Sequence, residues 1–231
     1  MTAAGLYRPA PGSAPPPAAG TRRDRAAAGW RLARLYLVSR RVPMTLALLA
    51  GLGALQWAAL HWHWSIAGGP AARLFIPLTI QTGAAAVITV ATYGPFGETE
   101  RAAGRWLPWL RLCTAIALTA VAFGALAAGA AAGGLPGGTL ALLRNLAGMA
   151  GIGLVCAAVL GGAFGWTGPM AFLVITEGAL AHRSATPWVW PTRPPQDRGG
   201  AICACLVIAA ALVLITVRGP RESARETGPA N

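Results

Sequence analysis

The sequence contains no lysine, and all 19 basic residues among its 231 are arginine. A Walker A loop requires a lysine that reaches the nucleotide phosphates, so this chain has no such loop. Catalysis through a lysine Schiff base is excluded as well. No Ser/His/Asp set, glycine-rich phosphate cradle or carboxylate pair is evident either. We therefore expect this chain to be no enzyme and to bind no cofactor, and any ATP hydrolysis belongs to a separate subunit.

Acidic residues are also scarce, with seven Asp and Glu, whereas hydrophobic residues make up 55% of the chain. The mean hydropathy of +0.53 is too high for a soluble domain of this length. The formal charge of +12 is better explained by membrane topology than by a nucleic-acid partner, because positive charge accumulates on cytoplasmic loops. Arginine without lysine, with 30 Gly and abundant Ala, indicates a GC-rich bacterial genome.

Five nearly uncharged runs are long enough to cross a bilayer, which takes about 20 mostly apolar residues. They are residues 42–64, 74–96, 110–132, 146–166 and 200–217. A sixth run, Gly168–Ala181, is shorter and contains the acidic residue Glu177. Its helix either continues toward Trp188 or is completed by a re-entrant segment. The predicted fold is all-α: a polytopic integral membrane protein with about six transmembrane helices.

The segments around these runs divide the chain into three parts. Residues 1–21 are rich in Pro, Ala and Gly and are predicted to form a disordered cytoplasmic tail. Residues 22–217 form the predicted transmembrane domain. It begins with an interfacial helix over 22–41, where arginines lie opposite apolar side chains; a charged stem that only anchors topology is the alternative. Residues 218–231 are predicted to be a cytoplasmic tail.

The arginines divide unevenly between the two sides that six crossings create. Fourteen fall on one side: Arg8, Arg22, Arg23, Arg25, Arg31, Arg34, Arg40, Arg41, Arg101, Arg105, Arg111, Arg218, Arg221 and Arg225. Five fall on the other: Arg73, Arg144, Arg183, Arg193 and Arg198. Because positive residues concentrate on the cytoplasmic side, this division predicts that both termini are cytoplasmic in a bacterial plasma membrane.

Small-residue spacing also occurs along the runs, as Gly129-x3-Gly133 and Gly161-x3-Gly165. Such spacing lets helix backbones approach closely. The same spacing is expected by chance in a chain this rich in Gly and Ala, so it is weak evidence for a particular helix contact.

A compact charged loop joins the second and third runs. Its charged residues are Glu98, Glu100, Arg101 and Arg105. Residues 96–106 favour a short helix that ends before Pro108, because the residue preceding a proline disfavours the helical conformation. An ordinary solvated loop is the alternative interpretation.

This loop and the entry helix resemble parts of a known family. The entry helix ends in Ser39-Arg-Arg-Val-Pro43, and the loop reads Glu98-x-Glu-Arg-x-x-Gly104. With six spans, they look like the permease subunits of type-two ABC exporters, over most of residues 25–217 and by topology more than by sequence. The resemblance implies that the charged loop docks on a separate ATP-binding subunit, and that permease subunits pair as a homo- or heterodimer.

Two further segments are candidates for the transport path. Glu177 is the only acidic residue within an apolar run, and intramembrane carboxylates usually face a cavity or a partner. It is a possible substrate-path residue; a structural acid paired near His182 or Arg183 is the alternative. The Pro- and Trp-rich segment Thr186–Asp197 is either a substrate gate or partner surface, or an aromatic-anchored loop stiffened by proline.

The three histidines, His61, His63 and His182, map to one side of the membrane together with Cys203 and Cys205. Such donors suit transition metals, but their spacing is not a recognised ligand pattern, and we expect no metal site. The sequence thus predicts the transmembrane subunit of an ATP-driven exporter that works by alternating access. The alternatives are a non-transporting scaffold or assembly factor and a metal- or haem-handling membrane protein.

Overall fold

The computed structural model describes residues 42–62, 72–92, 107–131, 133–135, 137–182 and 186–218. Within these ranges the chain forms six α-helices and no strand. They are α1 (Val42–His61), α2 (Ala72–Thr92), α3 (Leu107–Ala130), α4 (Gly138–Leu160), α5 (Thr167–Ala181) and α6 (Arg198–Arg218). Two short 3-10 helices, Gly162–Phe164 and Trp190–Thr192, precede α5 and α6. The predicted all-α fold is confirmed for this part of the chain.

Five of these helices, all except α5, are long and apolar enough to cross a membrane. α5 has 15 residues, which cover about 22 Å at 1.5 Å per residue, whereas the hydrocarbon layer is roughly 30 Å thick. The outer surface carries large exposed apolar side chains, among them Leu206 and Val217 at 64% and 77% exposure. Such a surface suits lipid rather than water, as expected of a multi-pass membrane protein.

Several predicted features lie outside the described residues. They are the two tails, the interfacial helix 22–41, His63, and the charged-loop residues Glu98, Glu100, Arg101 and Arg105. The predictions made for them remain predictions.

Helix α4 lies at the centre of the packing, in contact with α2, α3, α5 and α6. In the most apolar stretch of α4, 67% is buried inside the protein. In the corresponding stretch of α6, the buried share is 22%. The main core forms where Leu142, Leu146 and Met149 of α4 meet Ala84 and Ile88 of α2. Glycine and alanine are frequent along α4, and small side chains let neighbouring helices come close on several sides.

The contact between α1 and α3 depends on glycine. A Cβ on Gly53 would lie 2.7 Å from the carbonyl oxygen of Ala125, and one on Gly129 would overlap the carbonyl oxygen of Gly53. Gly133 lies equally close to Leu60. Gly129 therefore marks a close helix contact, in which backbone lies directly on backbone, whereas Gly133 packs on the Leu60 side chain just past the end of α3.

The Gly161-x3-Gly165 spacing has a different role, because residues 161–166 form the turn between α4 and α5. Gly161 has φ 102, a conformation that side chains with a Cβ rarely adopt. α5 then returns along α4: Gly168, near its start, lies against Cys156 and Ile152. It runs toward the end of the bundle at which α2, α4 and α6 begin, which we call the loop end.

The fourth helix differs most from its predicted position. The apolar run predicted a span over 146–166, whereas α4 covers Gly138–Leu160. The uncharged run begins only after Arg144 and Asn145, so the run alone excludes both residues from the predicted span. In the structure both side chains are 6% exposed and lie within the helix, since the guanidinium group of Arg144 finds partners inside the protein.

Candidate functional site

The segment between α5 and α6 enters the bundle instead of passing over it. We call residues 186–197 the re-entrant loop. Its Val189 and Trp190 are 1% and 3% exposed, and the Trp190 ring stacks on Phe172 of α5 with centroids 4.5 Å apart. Trp190 also lies against Gly148 so closely that a Cβ there would overlap the ring. Gly148 is ten positions into α4, so the loop reaches about 15 Å along that helix.

A single arginine fastens this loop to α4. Nη1 of Arg144 donates a hydrogen bond of 2.8 Å to the carbonyl oxygen of Pro194. Nη2 donates one of 3.0 Å to that of Arg193. These bonds satisfy loop carbonyls that have no helix or strand partner, and hydrogen bonds from a charged donor are stronger than neutral ones. The buried charge is thus used to hold the loop.

Asp197 closes the loop at its far end. Its Oδ2 accepts a hydrogen bond of 2.7 Å from the backbone N–H of Gly200, which makes Asp197 the N-cap of α6. The same carboxylate attracts the guanidinium group of Arg144 electrostatically. The loop, α4 and the start of α6 are therefore linked by a small polar network, whereas the Trp190 wedge supplies the apolar contact.

A cavity of about 250 Å³ lies between this loop and the helices at the loop end. Its apolar wall comes mainly from the first half of α2 and the start of α4, with Leu74, Leu78 and Leu142 among the lining residues. The prolines of the re-entrant loop form another wall. Its polar lining residues are Gln81, Arg144, Asn145, Thr192 and Arg193.

Two amides in this lining are nearly enclosed and incompletely bonded. Gln81 and Asn145 are 3% and 6% exposed, and the side-chain oxygen of each is buried without a hydrogen-bond partner in the described structure. The Nε atoms of Arg144 and Arg193 are also buried without a hydrogen-bond partner. Buried polar groups without partners are costly, and a ligand, an ion or a water that completes their hydrogen bonds is one explanation for them. The cavity is therefore the best candidate site in the described part of the chain.

The Pro- and Trp-rich segment Thr186–Asp197, predicted to be a gate or partner surface or an aromatic-anchored loop, supplies lining residues of this cavity, whereas the predicted path residue Glu177 does not. Glu177 lies on α5, half-buried, and it is not among the residues that line the cavity. Its neighbour Thr176 faces the core and bonds the carbonyl oxygen of Phe172 at 2.8 Å. The four charged-loop residues, Glu98, Glu100, Arg101 and Arg105, lie outside the described ranges.

The histidines and cysteines do not converge within the described residues. His61 stacks on Trp57 with centroids 4.9 Å apart, and Nδ1 of His182 is 2.8 Å from the carbonyl oxygen of Gly178. Among His, Cys, Asp and Glu side chains that the structure describes, no group of three or more is arranged to hold a metal ion. Each described histidine thus has a local aromatic or backbone neighbour.

The sequence interpretation missed the two amides that line the cavity. Gln81 stands inside the second apolar run, and Asn145 follows Arg144 directly before the fourth. A polar residue inside or at the edge of a spanning segment is costly and often functional, so this pattern was available. Glu177 is conspicuous in the sequence because it is charged, whereas the amides of Gln81 and Asn145 carry no charge.

Comparison of the chain with protein-family models, with curated proteins and with solved structures gives no match. The function is therefore inferred from the residues and geometry of the chain itself.

Proposed function

We propose that the chain is the transmembrane subunit of an ATP-driven exporter. One observation carries the transport part of this proposal: a cavity with polar, partly unpartnered side chains lies among helices that are apolar enough to span a membrane. Polar groups within spanning helices usually mark a path for a substrate or an ion. A loop that reaches into the bundle forms one wall of the cavity, as a gate on such a path would.

The proposed topology has six crossings, both termini in the cytoplasm of a bacterium, and the loop end outside. α5 supports the sixth crossing, because it runs back along α4 toward the loop end, as the contact of Gly168 with Cys156 and Ile152 shows. The uneven division of the arginines supports the cytoplasmic placement of the termini.

In the proposed mechanism, alternating access moves the re-entrant loop. Outward opening withdraws the Trp190 wedge from Gly148 and breaks the two bonds from Arg144 to the loop carbonyls. A partner ATPase supplies the work through the charged loop between α2 and α3. Two such membrane subunits form the full transporter, as the resemblance to ABC exporter permeases implies.

The ATPase coupling is tested by charge reversal in the charged loop. Glu98→Arg plus Glu100→Arg should abolish co-purification with the ATPase encoded by the neighbouring gene, in mild detergent, and its stimulation by the tagged chain. The matched control is Glu222→Arg plus Glu226→Arg, which makes the same charge change in the C-terminal segment. Undiminished co-purification and stimulation with the first pair would contradict the proposed coupling.

A further inference from the structure

We propose that the cavity beneath the re-entrant loop binds an oxyanion, a carboxylate or phosphate group carried by a small molecule or by a lipid headgroup. This binding does not depend on ATP or on a partner subunit, so it stands or falls separately from the exporter proposal.

The donors around the cavity favour an oxyanion. In Gln81 and Asn145 the amide oxygen is buried without a hydrogen-bond partner, and both residues line the cavity. Because no hydrogen bond fixes either amide, each can turn its NH2 group toward a ligand. Each NH2 group has two hydrogens to donate. Neither residue forms a side-chain hydrogen bond within the described structure, so both donors are free for a ligand.

Positive charge surrounds these donors. Arg144 and Arg193 both line the cavity, and both keep an unpartnered Nε. Gly137, which precedes the first residue of α4, lines it as well, so the positive end of the helix dipole is at the cavity wall. Backbone N–H groups at a helix start favour anions. Asp197 offsets part of this charge at Arg144, but the carboxylate is not among the lining residues.

The volume of the cavity and the apolar part of its lining limit which molecule can carry the oxyanion. Water occupies about 30 Å³ per molecule in the liquid, so a cavity of about 250 Å³ has room for a whole small organic anion or for a phosphate headgroup. Leu74, Leu78 and Leu142 supply an apolar part of the lining beside the donors. The site therefore suits a ligand with one anionic group and an adjoining apolar part.

The test measures binding to the purified full chain in a neutral detergent, by the ligand-dependent rise of its unfolding temperature. A ligand that binds only the folded state raises the free energy of unfolding by RT ln(1 + [L]/Kd), so the unfolding temperature rises with ligand concentration. Inorganic phosphate and a phosphatidylglycerol in mixed micelles are the two probes. A rise with phosphate identifies a free oxyanion, and a rise with phosphatidylglycerol alone identifies a lipid headgroup.

The variants are Gln81→Leu and Asn145→Leu, which remove one donor each. Neither removes a hydrogen bond of the described fold, so both variants should still fold. Since a hydrogen bond to a charged group contributes about 1.5–3 kcal/mol, each should weaken binding about tenfold or more. Asn145→Asp, which places a carboxylate beside the oxyanion, should weaken it further.

The matched control is Gln56→Leu. Gln56 is also a buried amide without a partner in the described structure, but it lies at the contact of α1 and α3, beside Gly129. This variant should bind the probes as the unchanged chain does. Absence of any rise with either probe, or an equal rise in all of these variants, would overturn the proposal.

Discussion

Two contacts in this bundle are built from the same small residue but differ in what the glycine faces. Between α1 and α3, Gly53 and Gly129 lie against backbone carbonyl groups of the opposite helix. Between α4 and the re-entrant loop, Gly148 lies against the Trp190 side chain. Carbonyl groups within a helix cannot move without moving the helix, whereas an aromatic ring on a loop can withdraw. The first contact therefore fixes two helices together, and the second allows a reversible closure.

The polar groups at the two contacts differ in the same way. At the α1–α3 contact Gln56 is fully buried with both amide atoms unpartnered in the described structure. At the re-entrant loop, Arg144 donates two hydrogen bonds to loop carbonyl groups and lies beside the cavity. In a contact that stays closed, an unpartnered polar group only lowers the stability. In a contact that opens, the hydrogen bonds that hold it must be of a kind that water can replace.

The largest effect on stability is expected from Gly129→Ala. The new methyl group overlaps the carbonyl oxygen of Gly53, and the helices must separate, so we expect a loss of about 3 kcal/mol, toward the upper end of overpacking costs. Denaturant unfolding in mixed micelles measures it. Gly124→Ala on the same helix is the control, because its Cβ meets open space; a similar loss there would remove the distinction between the two contacts.

A smaller and more local effect is expected from Arg144→Gln. The carbonyl groups of Arg193 and Pro194 lose a charged donor, at a cost of about 2 kcal/mol, and the loop should detach while α1 and α3 stay packed. Hydrogen exchange should accelerate in residues 186–197 and remain unchanged in 42–61. Arg198→Gln, at an exposed arginine of the same end, is the control. Equal acceleration in both regions would mean that the loop is no separate unit.

Gln56→Leu should have an effect of opposite sign. It replaces an unpartnered buried amide by an apolar side chain of similar size, and we expect a gain of about 1 kcal/mol. The same unfolding measurement detects it. A loss instead would show that Gln56 has a partner in the folded protein, and the α1–α3 contact would no longer be purely a packing contact.

The smallest effect on stability is expected at Glu177. Because this side chain is half-buried and belongs to neither contact, Glu177→Leu should change the stability by less than about 0.5 kcal/mol. Its proposed place in the substrate path is tested separately by transport. Glu177→Gln should abolish or strongly alter transport in a folded protein, and normal transport by Glu177→Leu would end that interpretation.

The apolar runs predicted the helices well, because spanning segments must satisfy their backbone internally and expose apolar side chains. Run edges were less reliable. Arg144 belongs to α4 because its guanidinium group donates hydrogen bonds to a loop distant in sequence, and no local pattern contains that contact. The close approach at Gly129 was visible as a spacing, but the same spacing at Gly161 lies in a turn. Sequence spacing alone does not say which partner a glycine meets.

The central claim is that the re-entrant loop closes an outward-facing cavity and opens during transport. It is tested most directly by labelling single cysteines in intact cells with a membrane-impermeant maleimide, after the four native cysteines are replaced. Gln196→Cys, at an exposed position, should react at all times, whereas Val189→Cys, at a position 1% exposed, should react only while the partner ATPase is active. Reaction of Gln196→Cys only after permeabilisation, or protection of Val189→Cys throughout turnover, would contradict the account.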